Sequence, residues 1–389
     1  MRPRILALCW LSIFAVTGLA MNPATVGHDA LQDKAPANNQ ATTGKLKTEN
    51  VLLVMLDGLR WQEVFTGAAE ELLNKNRGGV RDVADMRKRF WRETPEARRE
   101  ALMPFLWGTI AKDGQVFGNK LRGSVGRVTN GLNFSYPGYN ELLCGVVDPQ
   151  VKSNGKNYNR NETVLEWLHK NPEFHGKIAA FTSWEVFPYI INDKRSGIPV
   201  NSGYMPLTGL PDGPAVRLLN QLMAETALEG EETRLDTFTF RAALLYLQAR
   251  KPRVLFLSFD ETDSQGHAGR YDRLLAGAHK NDDFVRELWE TVQRMPEYKG
   301  KTTLIVTTDH GRGDPPTAWR DHGQKVVGSE FFWAAFLGPD TPARGEMKDV
   351  EPIHQTQIAA TLATALGYDY VAATPKAGAA IKGVIESAK

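Results

Sequence analysis

Apolar and β-branched residues gather in short runs along the chain, and several of these runs end abruptly in an acidic residue. The clearest are VLLVML before Asp57, VLFLSF before Asp260, and TTLIVTT before Asp309. Continuous apolar runs of this length, bounded by turn residues, indicate buried parallel strands. Ligands bind at the carboxyl ends of the strands in open α/β sheets. The pattern therefore predicts a parallel sheet that carries acidic side chains along one edge.

Longer amphipathic segments separate these strands. Residues 62–120 are predicted to be mostly helical, a helix is predicted to be capped by Asp236, and another is predicted over 282–295. Residues 193–235 are rich in Gly and Pro and are interpreted as an irregular insertion or lid over the sheet edge. Alternating strands and helices predict an α/β fold with helices on the faces of the sheet.

The N-terminal residues have the pattern of an export signal. Arg2 and Arg4 precede a short apolar stretch that ends in small residues, which predicts a signal peptide over 1–20. An uncleaved membrane anchor is the alternative, but the apolar stretch is short for a span. Residues 21–48 lack apolar periodicity and are predicted to be a disordered leader, followed by one folded domain over 49–385. The mature protein is therefore expected to be periplasmic or secreted, without a stable membrane span.

Charge and cysteine content narrow the range of partners and folds. The formal net charge of +2 is close to neutral for 389 residues, so it gives no indication of nucleic acid as a partner. Cleavage of the signal peptide would leave Cys144 as the sole cysteine, so no internal disulfide is expected. The fold must then be held by its core and by any metal that it binds.

The strand ends and the loops after them supply a set of candidate metal ligands. Asp and His are ligands for zinc-like ions, and catalytic metal sites use three protein ligands and keep an open position. Two of the candidates are four residues apart, and one helical turn would bring them to the same ion. A strand end with a solvated Asp and a hydrogen-bonded His is the simpler reading of any one pair. The six candidates are Asp57, Asp263, His267, Asp309, His310 and His322.

Ser135 is the candidate nucleophile. It lies in the stretch SYPGYNELLCG, at or just before a predicted helix N-terminus, where free backbone N–H groups favour an anion. A serine hydroxyl needs a base or a metal to attack near neutral pH, and a bound ion can be that activator. Without the metal candidates, a simple Ser-Tyr-Pro turn would explain the same residues.

The order of these motifs resembles the alkaline phosphatase superfamily, and within it the type I phosphodiesterase/nucleotide pyrophosphatase branch. The resemblance runs from about residue 50 to about 370 and includes LLVMLDG at the first strand, SYPG at the nucleophile, DSQGH, an Asp-His pair, and a final HG. It implies an alkaline-phosphatase-like three-layer α/β/α sandwich with a mostly parallel central sheet and inserted lid segments. It also implies hydrolysis of small-molecule phosphate esters, as a phosphodiesterase or phosphatase, through a phosphoserine.

The same resemblance assigns the ligands to two divalent metal ions, with zinc favoured and manganese as the alternative. One ion would be held by Asp263, His267 and His322. The other would be held by Asp57, Asp309, His310 and the oxygen of Ser135. An Asn that binds a phosphate oxygen is also expected, and spacing leaves Asn154 and Asn157 both open.

Two other functions stay open at this point. The stretch SYPGYNELLCG keeps the spacing of the sulfatase signature, but Tyr139 stands where sulfatases need Arg. A sulfatase or phosphonate-ester hydrolase is therefore the alternative enzyme, and a metal-dependent binding protein without turnover is the alternative outside enzymes. Trp61, Tyr136 and Tyr139 are candidates either for stacking on a leaving group or for packing. Preference for monoesters or diesters and the oligomeric state are not predicted.

Overall fold

The first described residues overlap the end of the predicted leader. The computed structural model describes residues 45–227, 230 and 232–387, so the predicted signal peptide and most of the predicted leader lie outside the described residues. The backbone N–H groups of Lys47 and Thr48 donate to the carboxylate of Asp340 over 2.7–3.0 Å. Thr48, the last residue of the predicted leader, is thus in contact with a residue far along the chain.

The strands are short, and the longest of them are fully buried. Their bounds are β1 Asn50–Leu56, β2 Gln115–Phe117, β3 Gly126–Arg127, β4 Ile178–Thr182, β5 Val200–Ser202, β6 Val254–Phe259, β7 Thr302–Thr307, β8 Phe331–Phe332, β9 Ala334–Leu337, β10 Gly345–Glu346 and β11 Ile353–His354. The acid-terminated runs of the sequence are β1, β6 and β7, as predicted.

The helices fall between these strands. Their bounds are α1 Trp61–Thr66, α2 Lys75–Gly78, α3 Val83–Phe90, α4 Pro95–Leu102, α5 Ala111–Asp113, α6 Ser135–Cys144, α7 Val164–His169, α8 Phe187–Ile191, α9 Asp193–Ser196, α10 Pro214–Thr226, α11 Asp236–Arg250, α12 Glu261–His267, α13 Tyr271–Arg294, α14 Gln357–Ala365 and α15 Tyr370–Ala373. A π-helical turn spans Leu106–Ile110, and short 3₁₀ turns span Glu70–Leu72, Lys120–Arg122 and Ala318–Arg320. No helix in the described part of the chain is long and apolar enough to cross a membrane.

The main sheet has the strand order β10-β2-β9-β7-β1-β6-β4-β5. Strands β7, β1, β6, β4 and β5 are parallel neighbours, whereas β9 runs antiparallel to β7 and to β2. The register pairs Leu56 of β1 with Phe259 of β6, and Met55 with Thr307 of β7. The carboxyl ends of these three central strands therefore emerge side by side at one edge.

Alternate residues of β1 face two separate apolar cores. Leu52, Val54 and Leu56 pack in the core that α11 and α13 cover. Val51, Leu53 and Met55 pack in the core that α6, α7 and α14 cover. Side chains on a strand alternate between its faces, so a strand with helices on both sides is apolar throughout. The three-layer α/β/α sandwich with a mostly parallel sheet is confirmed.

Two segments differ from the sequence prediction. The segment 193–235, predicted to be irregular, contributes the edge strand β5 and the 13-residue helix α10. The helix predicted over 282–295 is the C-terminal half of the 24-residue α13. Its first turns contain Tyr271, which is fully buried, so tertiary packing supports a helix that apolar periodicity alone did not indicate.

Candidate metal and nucleophile site

The site forms where β7, β1 and β6 end. Asp57 follows β1 directly and donates its backbone N–H to the carbonyl of Phe259 at the end of β6. Asp309 follows β7 after one residue, and its Oδ1 accepts from the N–H of Gly58 at 3.1 Å. The chain after β6 turns at once into α12, which carries Asp263. Parallel neighbours thus bring carboxylates from three separate segments to one place.

Helix α12 holds Asp263 and His267 one turn apart, as predicted. The Asp263 Oδ2 and His267 Nε2 atoms lie 3.3 Å from each other. Asp236, predicted to cap its own helix, makes no side-chain cap there. Its buried carboxylate instead accepts from the N–H groups of Asp260 and Glu261, at 2.8 and 3.1 Å. Asp236 therefore anchors the N-terminus of the helix that carries the two ligand candidates, a role that only the tertiary structure reveals.

One group of ligand candidates surrounds the imidazole of His310. Its Nε2 atom lies 3.4 Å from Asp57 Oδ1 and 3.3 Å from Asp309 Oδ2. The Oγ atom of Ser135 lies 3.4 Å from the same nitrogen. The four residues that the resemblance assigns to one ion therefore lie together around His310 Nε2.

The other group lies beside it. His267 Nε2 lies 2.9 Å from His322 Nε2, and His322 Nε2 lies 3.7 Å from Asp263 Oδ1. His310 Nε2 is 3.9 Å from that same Asp263 oxygen. Among the described residues, Asp57, Asp309 and His310 form one compact set of possible ligand atoms, and Asp263, His310 and His322 form a second. His310 therefore stands between the two groups.

Two carboxylate oxygens of the first group, and one imidazole from each group, have the hydrogen-bonding state that metal ligands need. Asp57 Oδ1 and Asp309 Oδ2 are buried and have no hydrogen-bond partner. His310 Nδ1 lies 2.9 Å from the carbonyl of Gly311, and His322 Nδ1 lies 3.2 Å from the carbonyl of Asn133. A carbonyl can only accept, so each Nδ1 carries the proton and each Nε2 offers a lone pair.

Electrostatics lead to the same conclusion. Burial, followed by repulsion from Asp309 and Asp263, raises the pKa of Asp57 well above its usual range. Burial and Asp263 also raise the pKa of Asp309. Burial lowers the pKa of His310 well below its usual range and that of His322 to about 4. Gathered carboxylates with neutral imidazoles are costly to bury alone and are suited to a divalent cation, and mixed Asp and His donors suit zinc.

Helix α6 presents Ser135 at its first position, as predicted. Ser135 is buried, and its N–H is a first-turn donor without an acceptor inside the helix. Gly138 allows the helix to approach the end of β7, because a Cβ there would lie 2.6 Å from the carbonyl oxygen of Asp309. This close approach is what places Ser135 Oγ beside His310.

The two candidate asparagines differ in what they contact. Asn154 Oδ1 accepts from the N–H of Tyr136, the residue after the nucleophile, at 3.0 Å. Asn157 contacts the same residue through its backbone, since its carbonyl accepts from the Tyr136 hydroxyl at 2.6 Å. The structure therefore places the Asn154 side chain beside the nucleophile.

Arg312 is a site residue that sequence analysis missed. Its buried guanidinium donates to Asp263 Oδ1 and to the carbonyls of Trp319 and Arg320. The charge of Arg312 holds the pKa of Asp263 well below its usual range against the effect of burial. Gly266 leaves the room for it, because a Cβ there would lie 2.7 Å from the guanidinium carbon. The signal in the sequence was an arginine between two glycines directly after Asp-His.

The burial of the three aromatic candidates favours packing over stacking on a leaving group. Trp61, Tyr136 and Tyr139 are all buried, and Tyr139 is fully so. The Tyr139 ring packs edge-on against Phe187, with centroids 4.6 Å apart. The free cysteine Cys144, at the end of the same helix α6, is buried as expected.

Comparison with known families is consistent with this geometry. The model of the type I phosphodiesterase / nucleotide pyrophosphatase family matches residues 70–327, a range that contains Ser135 and every ligand candidate except Asp57. The chain belongs to this family. It is thereby a hydrolase of the alkaline phosphatase superfamily, and the resemblance inferred from its motifs is confirmed.

Solved structures show how widely this family member shares its fold. It aligns with wild-type alkaline phosphatase PafA at a TM-score of 0.52 and 10% identity, over 88% of this chain and 100% of that chain. The lipoteichoic acid synthase LtaP from Listeria monocytogenes aligns at 0.50 and 10% identity, over 82% and 72%. Ps i-CgsB in complex with k-i-k-neocarrahexaose aligns at 0.50 and 15% identity, over 85% and 75%. Identities this low establish the fold alone, and no curated protein matches.

Proposed function

We propose that this family member is an exported two-metal hydrolase of phosphate esters that works through a phosphoserine at Ser135. The observation that carries the proposal is the position of Ser135 Oγ, 3.4 Å from His310 Nε2, at a helix N-terminus beside two orphaned carboxylate oxygens. A nucleophile, an anion-binding backbone and a cation site meet at one point. That combination suits displacement at phosphorus.

The residues divide the work as follows. Ser135 Oγ forms a bond to phosphorus while the bond from phosphorus to the leaving oxygen breaks, and water then attacks phosphorus and releases Ser135. The Ser135 N–H and the Asn154 side chain, which contacts the N–H of Tyr136, would bind phosphoryl oxygens. Bound divalent ions would lower the pKa of the serine and of water and neutralise phosphoryl charge. Asp57, Asp309 and His310 would hold one ion, and the group with Asp263 the other.

The alternative reactions differ in what they demand of the residue four positions after the nucleophile. Sulfatases of this superfamily need an arginine there, and this chain has Tyr139, which is buried and hydrogen-bonded to Asp57. That contact supports phosphate esters over sulfate esters. A panel of a sulfate monoester, a phosphonate monoester, a phosphate monoester and a phosphate diester, assayed with zinc and with manganese, distinguishes these enzymes. A protein that binds metal without turnover would hydrolyse none of them.

Ser135→Ala tests the covalent route. We expect turnover of a nitrophenyl phosphate ester to be abolished while both ions still bind, because the serine oxygen is one ligand among several. Ser387→Ala, near the end of the described chain, is the matched control and should behave as wild type. Acid quenching during turnover should trap a phosphoserine on Ser135 by mass spectrometry. Retained turnover in Ser135→Ala would refute the covalent route.

Export is the second part of the proposal. It is supported by the positively charged and apolar pattern of residues 1–20, which lie outside the described residues. The mature protein should begin after Ala20, which intact-mass measurement of the natively expressed protein tests. Recovery of the full chain from the cytoplasm would contradict export without affecting the proposed chemistry.

A further inference from the structure

Helix α6 carries a second polar group one turn after the nucleophile. Tyr139 is fully buried, and its hydroxyl lies 2.8 Å from Asp57 Oδ2 and 2.8 Å from Ser258 Oγ. Ser258 is itself buried, in β6 beside β1. These three side chains link α6 to the end of β1 and to β6, next to the ligand candidates that surround His310.

The direction of these hydrogen bonds follows from the groups themselves. An ionised carboxylate can only accept, so with a cation on Asp57 the Tyr139 hydroxyl donates to Oδ2. The Tyr139 oxygen is then left as an acceptor, and Ser258 donates to it. The result is a chain from Ser258 through Tyr139 to Asp57, in which each bond polarises the next. The other oxygen of Asp57, the orphaned Oδ1, is left facing His310 Nε2 at 3.4 Å.

We propose that Tyr139 is a positioning residue that orients Asp57 as a metal ligand, with Ser258 as its support. The inference rests on the proposed function, because it assumes that the group of Asp57, Asp309 and His310 binds a divalent ion. Hydrogen bonds to the outer oxygen of a ligating carboxylate fix its rotation and strengthen its binding. Since Tyr139 and Ser135 share one helix, the same element that presents the nucleophile also aligns a ligand of the ion that activates it.

Tyr139→Phe isolates the hydroxyl. The variant keeps the ring and its edge-on contact with Phe187, so the core is preserved. We expect the affinity for the ion held by Asp57, Asp309 and His310 to fall by about 10- to 100-fold, the usual effect of losing a hydrogen bond to a metal ligand. The affinity of the ion held by the Asp263 group should stay at the wild-type value.

Ser258→Ala tests the support. We expect a smaller loss of affinity at the same ion, because the Tyr139 hydroxyl remains. The double variant should resemble Tyr139→Phe, since Ser258 reaches Asp57 only through that hydroxyl. If the losses of affinity in the two single variants simply add in the double variant, the two residues act separately. That result would overturn the proposed series of hydrogen bonds from Ser258 through Tyr139 to Asp57.

The measurement is zinc and manganese binding to the full chain, by titration calorimetry and by competition with a chelator of known affinity. Tyr370→Phe is the matched control: Tyr370 is buried, and its hydroxyl donates to the carbonyl of Cys144 on the same helix α6. Its ion affinities should be unchanged. Equal affinities in Tyr139→Phe and wild type would overturn the inference, whereas a wild type that binds no ion would overturn the proposed function instead. If Tyr139→Phe fails to fold, Ser258→Ala decides alone, and unchanged affinities there reject the inference.

Discussion

Removing the metal ions should destabilise the protein most at neutral to alkaline pH. In the metal-free protein, burial and mutual repulsion raise the pKa values of Asp57 and Asp309, and burial raises that of Asp260 to about 8. An acid with a raised pKa in the fold gives up stability as pH rises from its unfolded value to its folded value. The lowered pKa values of His322 and Asp263 have the opposite effect, so that stability rises with pH. This rise ends at the usual pKa of each residue type, about 6.5 for His and about 4 for Asp. Neither group therefore offsets the loss of stability above pH ~6.5.

The expected size of the effect can be worked out. Each carboxyl group that is protonated in the fold but ionised on unfolding costs about 1.4 kcal/mol per pH unit. A divalent ion present at about 100 times its dissociation constant adds about 2.7 kcal/mol. With an unfolding entropy of about 2.1 cal/mol/K per residue, a fold of this length shifts by about 1.4 °C for each kcal/mol. Two ions should therefore raise the melting temperature by about 8 °C, and by more at pH 8 than at pH 6.5.

Thermal unfolding with a chelator, and with zinc restored, measures this at several pH values. Asp57→Asn should flatten the decline of the metal-free melting temperature with pH and reduce the shift on adding zinc. Asp283→Asn, a change of an exposed acid on α13, is the control and should leave both unchanged. A metal-free melting temperature that stays level or rises between pH 6.5 and 8, or no shift on adding zinc, would refute the reasoning.

Four further variants test the site. His310→Ala removes the nitrogen shared by both ligand groups, so mass spectrometry should find fewer ions and turnover should fall by about 10³-fold; full activity with both ions bound would show that the site is wrongly assigned. Arg312→Met breaks a buried ion pair with Asp263 and should lower the free energy of unfolding in urea by about 3–5 kcal/mol, with an unchanged value contradicting that contact. Asn154→Ala should lower kcat/KM by about 10²-fold while Asn157→Ala changes it little, and the reverse order would transfer the phosphate contact to Asn157.

The strand ends could be predicted from the sequence because burial on both faces imposes an unbroken apolar run. A polar residue that interrupts such a run stands out, as Asp57 and Asp309 do. The helical spacing of Asp263 and His267 is equally local, and α12 supplies it. Their convergence on one edge follows from parallel pairing, but the matching of ligands to ions came from the resemblance to a family.

Contacts between distant segments could not be predicted. Arg312 reaches Asp263, and Asp236 anchors the start of α12, because the fold brings them there. An arginine between glycines and an acid before a helix are ordinary patterns on their own. The edge strand β5 and helix α10 were missed for a related reason, since Gly and Pro in the segment obscured short elements that tertiary pairing stabilises.

The charge of the assembled site bears on the substrate. Asp57, Asp263 and Asp309 contribute three negative charges, Arg312 offsets one, and two divalent ions would leave a surplus of two positive charges. A phosphate diester carries one negative charge and a serine alkoxide carries one more, which together balance the surplus. A monoester dianion would leave the buried site with a net negative charge. From this charge balance, in which Arg312 offsets Asp263, we expect faster turnover of diesters than of monoesters, and equal or faster turnover of a monoester in the substrate panel would contradict it.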